Sequence, residues 1–250
     1  MNFISGEPAV KLGDVLAVAD LHLGVEKEFA AKGVDLGKKF LVAAQKINSL
    51  MNYSKTSNLV VLGDLKHETM QSSEEQQEII GGFLDALDCK RLVLCKGNHD
   101  ENLADFPAIN VIQEQGFVLD AEKKKYGLFH GHVLPSRELY DAHYLLFAHV
   151  HPQLEFTDSY GAKSALQSWV LGNLKYEDKE RAPQGQKALI LPAFSKLCKS
   201  FSVNALPSEK LPGALVQTGV FDLEDSQALL LDGKKIGKIK DLRFETRQRL

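Results

Sequence analysis

Five short apolar runs, each ending in or leading into a cluster of Asp, Asn and His, constrain this chain more than any other feature. They occupy residues 14–20 (DVLAVAD), 58–64 (NLVVLGD), 91–97 (RLVLCKG), 126–131 (YGLFHG) and 144–149 (YLLFAH). Runs this short and this apolar read as buried strands. Between the first two, Leu36, Phe40, Ala43, Ala44, Ile47, Leu50 and Met51 recur at helical spacing, from a start near Asp35 or Gly37. Between the second and third, Ile79, Ile80, Phe83, Leu84 and Leu87 do the same behind Ser73-x-x-Gln76, the pattern of a capping box. From Ala188 onward the pattern is strand-like (KALILPAF, ALVQTGVFDL, QALLLDG and KKIGKIKDLRFE), with Asp232-Gly233 as a hairpin turn. The alternation predicts an α/β (α+β) chain with two layers of sheet. Residues 152–187, rich in polar and turn-forming types, are expected to be loops, either shaping a cleft or crossing the surface. No Pro/Gly/Ser-rich linker divides the 250 residues, so one domain is expected, with a motif core over 14–151 and a β-rich part over 188–250.

Composition excludes several classes. With 44% hydrophobic and 25% charged residues and a net charge of −3, the chain is neither disordered nor, as a whole, a nucleic-acid-binding footprint. Its apolar runs fall far short of the roughly 20 residues a bilayer requires, so no membrane partner is expected. The opening MNFISGEPAVKLGD lacks a basic stretch followed by an apolar one, so a soluble, cytoplasmic protein is expected. Cys89, Cys95 and Cys198 show no C-x-x-C spacing and read as buried reduced thiols. Lys234 to Arg249 is the one basic stretch, seven Lys/Arg against two acids; it is a solvated strand or tail, or a phosphate-binding patch.

The chemistry lies where the runs end. The clusters are Asp20-Leu21-His22, Gly63-Asp64-Leu65-Lys66-His67, Gly97-Asn98-His99-Asp100, His130-Gly131-His132 and His149-Val150-His151, and they hold seven of the eight histidines. Ligand sites of open α/β sheets gather beyond the carboxyl ends of strands, where such clusters would converge. An extended H-x-H puts both imidazoles on one face. A set of carboxylate, imidazole and amide donors suits Mn²⁺, Fe or Zn²⁺ better than Ca²⁺, with no thiolate to select a softer metal.

In this order the clusters resemble the pattern D-x-H, G-D-x-x-(D/H), G-N-H-(D/E), H-G and G-H-x-H of the calcineurin-like metallophosphoesterases, from Asp20 to His151. GDLKH, HVHP and ILPAFSKL are similar to a subgroup frequent in archaea and related to phosphoesterases encoded beside bacterial DNA ligases. The resemblance implies a four-layer α/β/β/α sandwich with two mixed sheets and two metals at the strand C-terminal ends. Asp20, His22 and His151 would bind the first metal, Asp64 would bridge, and Asn98, His130 and His149 would bind the second. Manganese is the expected metal, with iron, zinc or nickel as alternatives. Two ions bring +4 against −2 from Asp20 and Asp64, which leaves charge to hold a phosphate. The implied reaction is hydrolysis of a phosphate ester, more readily a diester, by a metal-bridging hydroxide. His99 would stabilise the transition state or protonate the leaving oxygen, with Asp100 orienting its ring. His132 faces the phosphate or stands behind a ligand. Lys66 and His67 have outer or solvent-facing roles, and His143 belongs to no motif. Single-stranded DNA is an alternative substrate, and a catalytically silent scaffold an alternative use of the fold. Two positions depart from the family pattern: Ala148 stands where Gly is usual, and Cys198-Lys199-Ser200 replaces an expected Gly-containing turn.

Overall fold

The computed structural model describes residues 1–69, 73–103, 105–175 and 186–243. Its first sheet begins with β1 (Asn2–Phe3), β2 (Val10–Leu12) and β3 (Val15–Val18), which pair antiparallel in chain order. The short helix α1 (Glu26–Ala30) and the longer α2 (Lys39–Ser54) lead to β4 (Asn58–Val61), and α3 (Glu74–Ala86) leads to β5 (Arg91–Cys95). With β6 (Ile109–Ile112), the strands from β3 onward run parallel in the order β3-β4-β5-β6.

Helix starts follow local side-chain chemistry. α2 opens at Lys39, later than the apolar spacing predicts. The Asp35 carboxylate accepts the Gly37 N–H at 2.8 Å and Gly37 takes φ +66°, a turn that leaves Leu36 outside the helix. α3 starts as expected behind Ser73, whose hydroxyl accepts the Gln76 N–H at 3.1 Å. Only half of the capping box forms. The Gln76 side chain donates to the Leu23 carbonyl at 2.9 Å instead, fastening the helix to the loop after β3.

The second sheet comprises β7 (Phe117–Ala121), β8 (Lys124–Leu128), β9 (Tyr144–Phe147), β10 (Pro152–Thr157), β11 (Lys163–Asn173), β12 (Lys187–Ile190) and β13 (Phe201–Ser202). Beyond the helix α4 (Ala214–Gln217), β14 (Gln227–Leu230) and β15 (Lys235–Lys238) pair as the Asp232-Gly233 hairpin and join β11. The order is β13-β10-β11-β12-β9-β8-β7, with β8, β9 and β12 parallel.

Three expectations are corrected here. Residues 152–175 are the hairpin β10–β11, and 176–185 lie outside the described residues. β11 hides in the sequence because its first residues, Lys163 to Leu166, are exposed and only its later part, Ser168 to Val170, is buried. ALVQTGVFDL opens with helix α4, since an apolar run of three or four residues suits either element. KKIGKIKDLRFE is a strand only over Lys235–Lys238, then a 3₁₀ turn over Ile239–Leu242, and residues 244–250 lie outside the described residues.

Apolar side chains form three layers. Val18, Leu59 and Leu94 pack against Ile47, Ile80 and Phe83 of the helices. Ala17, Val60 and Cys95 meet Leu128, Leu146 and Leu189 between the sheets. Phe147, Val170 and Ile190 are covered by Leu211, Leu215 and Phe221. Three apolar layers define a four-layer sandwich whose outer cover on the second sheet is built from α4, 3₁₀ turns and connecting chain. Among the described residues no helix is long and apolar enough to cross a membrane.

Candidate metal centre

Parallel strands of both sheets end at one place. Asp20 and His22 follow β3, Asp64 follows β4, and Asn98 and His99 follow β5; His130 follows β8, and His149 and His151 follow β9. The loops are laced together by their backbones. Asp20 N–H donates to Gly63 O at 3.1 Å, His22 N–H to Asp64 O at 2.9 Å, and Ala148 N–H to His130 O at 2.8 Å. Asp20, His22, Asp64, His149 and His151 all take left-handed backbone, with φ of 54°, 46°, 52°, 67° and 46°. Each such non-glycine residue costs on the order of 1 kcal/mol, and held strain of this kind clusters at functional sites. Ala148 needs no positive φ, so the missing glycine there costs nothing; the left-handed residue is His149 itself. Two motif glycines instead make room. A Cβ at Gly63 would lie 2.1 Å from His130 Nδ1, and one at Gly97 would lie 2.3 Å from Asp64 Oδ1.

Two groups of donors meet at Asp64. In the first, donor atoms of Asp20, His22, Asp64 and His151 lie within 4.8 Å of one another. His151 Nδ1 donates to the Lys199 carbonyl at 2.7 Å, which leaves Nε2 facing Asp20 Oδ1 at 3.3 Å. Both Asp20 oxygens, both His22 nitrogens and His151 Nε2 are buried without a hydrogen-bond partner among the described residues. In the second, donor atoms of Asp64, His130 and His149 again lie within 4.8 Å. His130 Nδ1 donates to Leu62 O at 2.9 Å, so its bare Nε2 stands 3.1 Å from His149 Nδ1, 3.3 Å from Asn98 Oδ1 and 3.4 Å from Asp64 Oδ1. An unpaired buried polar group costs about 1–3 kcal/mol. So many in the first group fit a divalent cation there, and the clustered donors of the second offer a like set, with the rings of His151 and His130 already oriented by backbone carbonyls.

Charge does not follow that division, since each group holds one lowered and one raised histidine. Burial pushes His22 down to about 4 despite the Asp64 and Asp20 carboxylates. Burial, with the charge of His130, likewise takes His149 to about 4. For His130 burial is outweighed by Asp64 and Asp20, which hold it up at about 9. His151 is raised in the same way by Asp20 against its burial.

His99 sits at the rim, half-buried. Its N–H donates to Asp64 Oδ1 at 3.1 Å, its Nδ1 contacts the His67 carbonyl at 2.5 Å, and its Nε2 lies 3.9 Å from Asp64 Oδ2. The ring is thus oriented by His67, and the expectation for Asp100 is corrected. Asp100 Oδ2 accepts from Asp64 N–H at 2.7 Å and Gly97 N–H at 2.8 Å, and Oδ1 from Leu65 N–H at 2.9 Å, because the turn buries its carboxylate beneath the Asp64 loop. Burial and the Asp64 charge raise Asp100 to about 6. His67 Nε2 meets Glu28 at 2.8 Å, and the fully buried Lys66 amine bonds the Glu68 carbonyl. His132 stands beside the second group, its ring centroid 5.2 Å from that of His130. His143 lies elsewhere, accepting the Lys125 N–H at 3.0 Å.

Sequence reasoning missed Glu28, which steadies His67, and Cys198. The Cys198 Sγ and ring nitrogens of His22 and His151 lie within 4.8 Å of one another, so a thiol does stand beside the first group. Its departure from the family pattern was the one signal. All three cysteines are free, and Cys95 is buried as expected, whereas Cys89 and Cys198 are half-buried.

A family model for calcineurin-like phosphoesterases matches residues 13–184, more than half of the chain. The chain is similar in structure to the nuclease MPE of Pseudomonas putida, at 20% identity and TM-score 0.50, covering 88% of this chain and 85% of that one. A looser likeness, at 16% identity and TM-score 0.38, is to the phosphoesterase Yfce from E. coli, covering 89% of this chain and 96% of that one. No curated protein matches the sequence significantly. With the motifs, the sandwich and the family match in agreement, the chain belongs to the calcineurin-like phosphoesterases.

Proposed function

We propose that the protein is a binuclear metal-dependent phosphoesterase that cleaves phosphodiesters in preference to monoesters. The observation that carries this reading is the convergence of two donor groups on Asp64, with the buried donors of Asp20, His22 and His151 unpartnered among the described residues. Asp20, His22 and His151 would hold one ion and Asn98, His130 and His149 the other, with Asp64 shared. Bound ions would supply positive charge for a phosphate oxyanion and a water acidified toward neutrality. The oxygen and nitrogen donors of these seven residues suit manganese, with iron, zinc or nickel as alternatives.

The chain's own part in the reaction falls to His99 and the walls. With Nδ1 on the His67 carbonyl, a protonated His99 presents Nε2–H toward the leaving oxygen and gives up that proton as the ester bond breaks. Asp100 holds the Gly97 and Asp64 backbones so that this ring keeps its place. His132, with its ring 5.2 Å from that of His130, would meet a phosphate oxygen on the other side. A cleft of about 360 Å³ beside His22, lined by Lys39, Phe40, Lys46 and Phe194, offers room for the second ester arm of a diester. The test compares bis-p-nitrophenyl phosphate with p-nitrophenyl phosphate across several metals. Chelated protein should be inactive and regain activity with Mn²⁺, and the diester should be the better substrate. Chelator-insensitive turnover would remove the reading; faster monoester cleavage would remove the diester preference.

Single-stranded DNA is a second reading. The similar fold of the Pseudomonas putida nuclease favours it, as does a cleft of about 430 Å³ lined by Lys196, Ser200, Leu230 and Leu231, leading toward the β14–β15 hairpin. Against it, Lys238 and Lys240 are each 2.8 Å from Asp225, and Arg243 is paired with Glu224. Of the basic run, Lys234 and Lys235 are the exposed residues nearest the turn, and Arg247 and Arg249 lie outside the described residues.

A further inference from the structure

The loop after β12 is tied at both ends to the first donor group. At one end Phe194 N–H donates to Ala19 O at 2.8 Å and Ser195 N–H to Asp20 O at 3.2 Å. At the other, Lys199 O accepts from His151 Nδ1 at 2.7 Å and Phe201 N–H donates to His151 O at 3.0 Å. Cys198 is held between these attachments, with its thiol on the Ser195 carbonyl at 3.3 Å. Its Sγ therefore lies within 4.8 Å of ring nitrogens of both His22 and His151. His22 is 4% exposed and His151 7%. Neither nitrogen of His22 has a hydrogen-bond partner among the described residues, and the same holds for Nε2 of His151. Two buried imidazoles, one of them with no hydrogen-bond partner among the described residues, together with a thiol form the donor set of a thiophilic divalent cation.

We propose that Cys198 is a further ligand of the cation held at Asp20, His22 and His151, and that it makes this position selective for zinc over manganese. The S–H bond breaks, its proton leaves to solvent and a sulfur–metal bond forms, with no change of oxidation state. The neighbouring position at Asn98, His130 and His149 has oxygen and nitrogen donors and retains the manganese preference. The molecule is then a mixed-metal protein, zinc in the deep position and manganese in the open one. This rests on the reading that the Asp20 group binds a cation. No other cysteine competes for the role, since Cys95 is buried between the sheets and Cys89 packs beside the α3 core.

X-ray absorption at the zinc edge of the zinc-loaded full chain tests it. The wild type should show one sulfur at about 2.3 Å, and Cys198→Ser should lose it. The same substitution should weaken zinc binding by about tenfold or more, at least the loss seen when a group that only supports a ligand is removed, and shift manganese binding by less than about twofold. Cobalt-loaded wild type should show a sulfur-to-cobalt charge-transfer absorption that Cys198→Ser lacks. Two zincs bound through oxygen and nitrogen alone, or a sulfur shell that survives in Cys198→Ser, would overturn the proposal and leave the phosphoesterase reading intact. A wild type that binds no divalent ion would overturn both.

Discussion

The two donor groups share Asp64 and differ in nearly everything else. The group at Asp20, His22 and His151 is buried, and all three residues take left-handed backbone. In the group at Asn98, His130 and His149, only His149 takes a left-handed backbone, Asn98 is exposed and His149 half-buried. His130, the one deep member, is pinned to the Leu62 carbonyl. Strain and burial therefore concentrate where access is poorest. The difference teaches that, with ions bound as proposed, one position would keep its ion and the other would meet solvent and substrate.

The largest effect should come from removing what the groups share. Asp64→Asn should lose most bound metal from both positions and reduce hydrolysis of bis-p-nitrophenyl phosphate by more than about 100-fold. Normal stoichiometry and turnover would mean that the groups do not depend on a common carboxylate. His99→Asn leaves both groups untouched. It should retain its metals and lose about 10²–10⁴ in turnover on an alkyl leaving group, and less on p-nitrophenolate, which scarcely needs a proton. Equal losses on both would leave the ring a purely electrostatic part.

A smaller effect separates the groups by pH. In metal-free protein His130 is held at about 9, above its unfolded value near 6.5. Its contribution to stability is complete below pH 6.5 and lost as pH rises through 9; raised His151 adds in the same sense. The urea midpoint of chelated protein should fall over that window, and His130→Asn should flatten the fall while His22→Ala should not. The smallest effect lies farthest out. β15 is four strands from β9, about 19 Å at roughly 4.8 Å per strand. A Lys234/Lys235/Lys238 triple Ala variant should flatten the salt dependence of single-stranded DNA hydrolysis and spare small diesters. Unchanged salt dependence would return the run to solvated surface.

Strands β3, β4 and β5 of the first sheet and the meeting of motif residues were legible in the sequence because parallel buried strands are continuous apolar runs, and the motifs sit directly after them; β1, β2 and β6, short and in part exposed, were not. The second sheet was legible only in part. β11 carries exposed polar residues on its first half, and α4 is too short to show a period. Asp100 was misjudged because adjacency to His99 suggested a ring contact, whereas the turn sends its carboxylate to backbone amides 34 to 36 residues away in sequence. The place of Cys198 beside the first group was hidden for a related reason. Its neighbours His22 and His151 are fixed by hydrogen bonds of a loop that no periodicity announces.

The donors are divided between the sheets: Asp20, His22, Asp64 and Asn98 come from the first, His130, His149 and His151 from the second. Neither sheet alone can assemble either group, and His130 takes its tautomer from Leu62 on the opposite sheet. Ion uptake at the proposed sites would therefore be a clock for assembly. During refolding, a cation held by either group would be captured only after the two sheets dock, and would then hold that seam closed from its end, as a rivet joins two plates.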